Sequence, residues 1–257
     1  MIKAVFFDFD GTIYSHRRNA IPASTIEALR RLKDHGILSF LCTGRSFPEL
    51  QQFDISAIRF DGMILSNGQL ALDGEGRIIY EQPISGILKN ELLRMFEERK
   101  LPVYIATKDD LILNYVDDFI VSVQDSINSQ MPEVKPYQGQ EFYAGCIFMD
   151  NEEAHAEVNE LKKYAEVTYW HEGAVDVVPY GVSKASGIDR LLKLHAIKPE
   201  ETMGIGDGDN DIEMFRHCGI AVAMGNSPDF VKEAAGYVTE DIDEDGLYHA
   251  LKHYELI

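Results

Sequence analysis

Several things are scarce in this 257-residue chain. There are only three cysteines, Cys42, Cys146 and Cys218, far apart in sequence. An odd, scattered set excludes a disulfide framework and a cysteine zinc site, and it fits free thiols in a reducing cytoplasm. No apolar run reaches the length of a membrane span, and no basic start followed by an apolar stretch marks a secretory signal. Basic residues are also in deficit: 24 Lys and Arg stand against 43 Asp and Glu, a formal net charge of −19. A surface this acidic repels nucleic acid and anionic lipid, so neither is expected as a partner. Low-complexity tracts and internal repeats are missing too. With 45% apolar residues, the chain can bury a substantial core.

The first eighty residues alternate between strand and helix patterns. Lys3–Asp8 is a short apolar run ending in a carboxylate, the pattern of a buried parallel strand. Pro22 opens a helix with Ile26, Leu29 and Leu32 on one face, and His35-Gly36 stops it. Strands are expected at Ile37–Cys42 and Asp61–Leu65. A hairpin is expected around Asp73-Gly74-Glu75-Gly76. The middle of the chain is richer in short strands. It has helices over Ile84–Arg99, Asp117–Ile127 and Glu152–Tyr164, and a loop over Asn128–Gln140. Alternation returns after Ser183, with strands at Thr202–Gly206, Gly219–Met224 and Tyr237–Thr239. The pattern predicts an α/β core built from residues 1–80 and 184–257, interrupted by an α+β insert over 81–183.

Four segments carry chemistry. In Asp8-Phe9-Asp10-Gly11-Thr12, alternation along an extended segment lets Asp8 and Asp10 emerge on the same side. One carboxylate can attack phosphorus while the other moves a proton. An isolated Asp-x-Asp is more often a helix cap or an acidic turn, but placement at the end of an apolar strand favours chemistry. Thr43-Gly44-Arg45 follows the second strand. A hydroxyl with adjacent amides can hold a phosphoryl oxygen, or Thr43 or Ser46 can simply start the next helix. Lys184 sits in a first helical turn, where a cation opposes the helix dipole unless it serves an anion. Gly206-Asp207-Gly208-Asp209-Asn210-Asp211 gathers hard oxygen ligands suited to Mg²⁺. It lacks the spacing of a calcium loop and follows an apolar strand. All four lie where open α/β sheets bind ligands.

Taken in order with Ser66-Asn67-Gly68, Gly181-Val182-Ser183, Val222–Asn226 and Glu244-Asp245-Gly246, these segments resemble the haloacid dehalogenase-like phosphatases, in particular the Cof-type group with a large inserted cap. The resemblance spans essentially the whole chain. It implies a Rossmann-like parallel-sheet core and a Mg²⁺-dependent phosphatase of small phosphate esters: sugar phosphates, nucleotides or phosphorylated cofactors. The residue matching Asp8 becomes phosphorylated, and the one matching Asp10 is the acid and base. Those matching Phe9, Thr43, Gly44, Lys184 and Asn210 contact phosphate. The side chains matching Asp8 and Asp207 and the backbone carbonyl matching Asp10 hold the metal, with Asp211 supporting it from one layer out. A phosphomutase of the same superfamily and a non-catalytic phosphometabolite sensor are the alternatives. Tyr14 departs from the family pattern, standing where a small aliphatic residue is usual. Selection of the leaving group falls to the insert, with Tyr143, Cys146, His171, Glu172 and Asp176 as candidates. The protein is expected to be cytoplasmic, a monomer or a small homo-oligomer.

Overall fold

The computed structural model describes residues 1–126 and 129–257. The expected end of one helix at Ile127 and the expected start of the next loop at Asn128 lie outside the described residues. Five strands precede the long insertion: β1 Ala4–Phe7, β2 Leu38–Cys42, β3 Gly62–Leu65, β4 Leu70–Asp73 and β5 Ile78–Glu81. Six follow within it: β6 Val103–Ala106, β7 Leu111–Leu113, β8 Glu133–Val134, β9 Ala144–Phe148, β10 Ala165–His171 and β11 Ala174–Pro179. The last three are β12 Thr202–Gly206, β13 Ile220–Ala223 and β14 Tyr237–Val238. The helices are α1 Ala23–Asp34, α2 Phe47–Leu50, α3 Gly86–Glu98, α4 Asp118–Ser126, α5 Glu152–Leu161, α6 Lys184–His195, α7 Ile212–His217, α8 Asp229–Lys232 and α9 Gly246–His253.

The chain divides into two compact units. The first contains Met1–Gly44, Asp54–Glu81 and Ser183–Ile257; the second contains Arg45–Phe53 and Gln82–Val182. The sequence reading placed residues 45–53 with the core, and here the division differs. The reason is local bonding. The Glu49 carboxylate accepts a hydrogen bond from the Tyr104 hydroxyl at 2.8 Å, and the Gln52 side chain accepts one from the Gln130 amide at 3.3 Å.

In the first unit the strands form one sheet in the order β14-β13-β12-β1-β2-β3-β4-β5. Every pair from β14 to β3 is parallel, and the hairpin β4–β5 adds an antiparallel edge. β1 is buried along its whole length, which is why Ala-Val-Phe-Phe reads as a continuous apolar run. On one face Ala4, Phe6, Phe40, Cys42 and Ile64 pack against Ile188, Leu191 and Leu192 of α6 and Met214 and Phe215 of α7. Phe6 and Phe40 stack with centroids 5.1 Å apart. Because β12, β1, β2 and β3 are adjacent and parallel, the residues just after them emerge along one sheet edge: Asp207, Asp8, Thr43 and Ser66.

The second unit holds a sheet in the order β10-β11-β9-β6-β7-β8, antiparallel except for the β7–β8 pair. β8 is a two-residue strand within the stretch expected to be loop. One face is apolar, with Val103, Ile105, Ile147, Val175 and Val177 against Leu88, Leu92, Met95 and Phe96 of α3 and Val158 and Leu161 of α5. The other face carries Tyr104, Ala106, Leu113, Cys146 and Phe148, covered in part by Ile120 and Val123 of α4. Asn114 fixes the α3–β6 connection. Its oxygen accepts from the amides of Val103 and Tyr115 at 2.9 and 2.8 Å, and its amide donates to the carbonyls of Phe96 and Leu101 at 3.1 and 2.9 Å. Among the described residues no helix is long and apolar enough to cross a membrane.

Candidate active site

Asp8 follows β1, and its amide donates to the Ile205 carbonyl at 2.9 Å, keeping it in register with β12. The chain then turns sharply. The Phe9 carbonyl accepts from the amides of Ile13 and Tyr14 at 2.9 and 2.8 Å. Gly11 has a φ of +74°, and a Cβ there would lie 2.2 Å from an Asp207 carboxylate oxygen. Only glycine permits both the left-handed backbone and that approach.

Lys184 is the first residue of α6. Ser183 caps that helix, its hydroxyl accepting from the Ser186 amide at 3.3 Å. The lysine is 0% exposed. Its Nζ donates to Asp8 Oδ1 at 2.5 Å and to Asp211 Oδ1 at 2.6 Å. Burial alone would depress its pKa, but the carboxylates of Asp211 and Asp8 outweigh burial and hold it above the usual lysine range. This resolves the oddity seen in the sequence, where a cation sat at a helix N-terminus.

Asp211 is fully used. Its Oδ1 meets Lys184, and its Oδ2 accepts from the amides of Asp207 and Gly208 at 3.0 and 2.9 Å. Carboxylate oxygens of Asp8, Asp207 and Asp211 lie within 4.8 Å of one another. Burial pushes Asp8 well above the ordinary carboxylate range, and the neighbouring acids push it further while Lys184 pulls it down. Burial, then the charge of Asp211, raises Asp207 to about 7. Three acids with one lysine carry an excess of negative charge. A hard divalent cation satisfies such a donor set, its charge opposing the burial that raises Asp8 and Asp207, so the residues present fit a hard divalent cation such as Mg²⁺.

The remaining expected residues fall around this centre. Asp10 Oδ1 is bonded to His16 Nε2 at 2.7 Å. Thr43 is buried; its amide donates to the Ile64 carbonyl and its carbonyl accepts from the Asn67 amide. Asn210 donates to the Asn67 side-chain oxygen at 3.1 Å. A Cβ at Gly44 would come within 3.2–3.3 Å of the side chains of Asn67 and Asn210, so this glycine, Asn67 and Asn210 form one wall. Ser46 is the N-cap residue of the short α2, and its amide and hydroxyl both donate to Glu49. Asp209 is exposed. Phe9 is buried and stacks on Tyr14 at 5.5 Å.

Two residues near the acids carried weak signals in the sequence. Asn226 donates to the Gly11 carbonyl at 3.0 Å and to Asp207 Oδ2 at 3.2 Å, while its oxygen accepts from the Ile242 amide. It thereby ties the Asp8–Gly11 turn to Asp207. Its place after an apolar strand, like that of Asn67, was the available signal.

In the insert the five candidates do not form one constellation. Cys146 and Asp176 are direct partners across β9 and β11. Tyr143 precedes β9, whereas His171 ends β10 and Glu172 lies in the β10–β11 turn, beside the other end of β9. Five residues of strand separate those ends, roughly 17 Å. The His171 ring accepts from the Gly173 amide at 3.1 Å, a bond that closes the turn, and Glu172 is exposed. Asp176 gathers different company. Trp170 Nε1 donates to it at 3.1 Å, and Cys146 beside it is the register partner of Tyr104. Burial, then the charge of Glu49, raises Asp176 to about 7. Burial likewise pushes the Cys146 thiol up. The row Tyr104–Cys146–Asp176 with Glu49 and Trp170 is the insert's polar cluster.

A family model described as haloacid dehalogenase-like hydrolase matches residues 5–251. The chain belongs to the haloacid dehalogenase-like hydrolases. YkrA of Bacillus subtilis, which carries the provisional name of a phosphatase, is 34% identical over 99% of this chain and 98% of its own length. Two solved members of the superfamily share the fold closely. BT1666 of Bacteroides thetaiotaomicron, studied among phosphatases of the superfamily, superposes with a TM-score of 0.89 at 31% identity, covering 100% of this chain and 96% of its own. The subclass IIB sugar phosphatase BT4131 gives 0.83 at 34% identity, over 99% of this chain and 100% of its own. The α/β core and the superfamily expected from the motifs are those found.

Proposed function

We propose that this haloacid dehalogenase-like hydrolase is a Mg²⁺-dependent phosphatase that hydrolyses small phosphorylated metabolites through an aspartyl phosphate on Asp8. The observation that carries this reading is the buried Asp8 carboxylate, fixed by Lys184 at 2.5 Å beside Asp207 and Asp211. A non-catalytic sensor has no need of such a nucleophile.

Asp8 attacks phosphorus in line, and the ester oxygen leaves with a proton from Asp10. Water then attacks the same phosphorus, giving its proton to Asp10 and releasing inorganic phosphate, which restores Asp8. Lys184 offsets the repulsion between the carboxylate and the incoming anion. Thr43, Gly44 and Asn210 receive the phosphoryl oxygens. Asp8, Asp207 and the Asp10 carbonyl would hold the Mg²⁺, with Asp211 orienting the loop through the amides of Asp207 and Gly208. When bound, the cation supplies positive charge that favours the phosphoryl group's approach and transfer. Leaving-group choice is assigned to the insert, because the core residues named here recognise only phosphate and metal. The sugar phosphatase relative favours sugar phosphates among the substrate classes.

The test is phosphate release from a panel of sugar phosphates, nucleotides, flavin mononucleotide and pyridoxal phosphate, with Mg²⁺ and with chelator. Turnover that needs Mg²⁺ and vanishes in Asp8→Asn is expected. Full turnover in chelator, or in Asp8→Asn, would overturn the proposal. Isomer formation without phosphate release would place the chain among the mutases instead.

A further inference from the structure

The Asp10 carboxylate meets a side chain from the loop between β1 and α1. Its Oδ1 lies 2.7 Å from His16 Nε2. When Asp10 is ionised its carboxylate only accepts, and the Nε2–H donates to it. His16 is itself held. Its ring meets the edge of Tyr14 at 5.3 Å and 77°, and Tyr14 stacks flat on Phe9 at 5.5 Å and 14°. The Tyr14 hydroxyl donates to Asn19 Oδ1 at 2.7 Å. The backbone closes the same unit, with Gly11 donating to the Tyr14 carbonyl and a bridge pairing Ser15 with Ala20. The large Tyr14 ring is what His16 rests against. A small aliphatic side chain offers no such edge.

We propose that His16, seated on Tyr14, is a positioning residue for Asp10. The terminal torsion of an aspartate is broad and roughly two-fold, so a fixed hydrogen bond from His16 favours one orientation of the carboxyl group. His16 and Asp10 are each partly exposed, at 42% and 35% of their side chains. Exposed pairs add little to stability, so the consequence lies in proton delivery rather than in the fold. The inference rests on the reading of Asp10 as acid and base. It deepens that reading by naming a residue that helps aim the group.

A proton delivered to the leaving oxygen matters in proportion to the basicity of that oxygen. The experiment therefore measures kcat/KM with Mg²⁺ for phosphate esters running from p-nitrophenyl phosphate to alkyl and sugar phosphates. The proteins are wild type, His16→Ala, His16→Gln and Asp10→Asn. His16→Ala is expected to lose about three- to tenfold on alkyl esters, the scale of one hydrogen bond partly screened by solvent, and less than twofold on p-nitrophenyl phosphate. His16→Gln keeps an amide donor at similar reach and is expected to recover most of the loss. Asp10→Asn is expected to show the same dependence on the leaving group, but larger. A His16→Ala profile parallel to wild type, with Asp10→Asn still leaving-group dependent, overturns the role of His16 and leaves Asp10 as the acid. An Asp10→Asn profile without that dependence overturns the reading of Asp10, and this inference with it.

Discussion

Replacing Lys184 by methionine keeps nearly the same volume and removes only the charge. The perturbation is severe because of where that charge lies. The ammonium is fully buried and makes contacts of 2.5 and 2.6 Å to Asp8 and Asp211. Removing one partner of a buried ion pair costs about 3–5 kcal/mol, mostly through the charge left behind. Here two carboxylates lose this ammonium, and Asp211 keeps the amides of Asp207 and Gly208. Typical domains are stable by about 5–15 kcal/mol, so Lys184→Met is expected to fold with a large deficit in metal-free buffer. Urea unfolding at neutral pH measures the loss. Hydrogen exchange then locates it, with reduced protection in β1 and β12 and little change in β9 and β11. Added Mg²⁺ is expected to restore part of the stability by binding the native acids, while turnover stays lost. A change in stability below about 1 kcal/mol would refute the reasoning, because the lysine would then not be neutralising buried charge.

Asp176 sets a pH dependence in the insert. Its folded value is raised from 3.8 to about 7, so its ionisation opposes folding. The penalty is absent below about pH 4, grows up to about pH 7, and then stays constant. Asp176→Asn should remove that limb and be more stable than wild type above pH 7; equal pH slopes for the two proteins would contradict this. Asn114→Ala strands the Val103 and Tyr115 amides and the Phe96 and Leu101 carbonyls, and should destabilise the insert by about 2–3 kcal/mol in urea titrations. Asp207→Ala should weaken Mg²⁺ binding by calorimetry far more than Asp209→Ala, whose side chain is exposed; equal losses would remove Asp207 from the metal site.

The core was legible because its signals are local. A buried parallel strand is an apolar run, so Ala4–Phe7, Leu38–Cys42 and Thr202–Gly206 announce themselves, and the polar residues that end them mark the sheet edge where chemistry sits. Lys184 was legible as an anomaly at a helix start, resolved by its two carboxylate partners. What escaped depends on register or on distant pairing. Tyr104, Cys146 and Asp176 become one row only once β6, β9 and β11 are aligned. The four-residue α2 is too short to show a period, and its grouping with the insert rests on single bonds such as Glu49–Tyr104. The two-residue β8 has no pattern at all. His171 and Glu172 are candidates by their place at a strand end and turn, and the bond from the Gly173 amide to the His171 ring depends on the geometry of that turn.

The most direct test of the central claim is to trap the covalent intermediate. Asp10→Asn should slow its hydrolysis, since general acid–base help is worth about 10²–10⁴-fold. That variant is mixed with Mg²⁺ and a substrate found in the panel, quenched rapidly in acid, reduced with borohydride, digested and read by mass spectrometry. An aspartyl phosphate on Asp8 is reduced to homoserine, so the peptide containing position 8 should carry that conversion, in a substrate-dependent amount. An unmodified Asp8 during measured turnover, or the modification on another acid, would contradict the account.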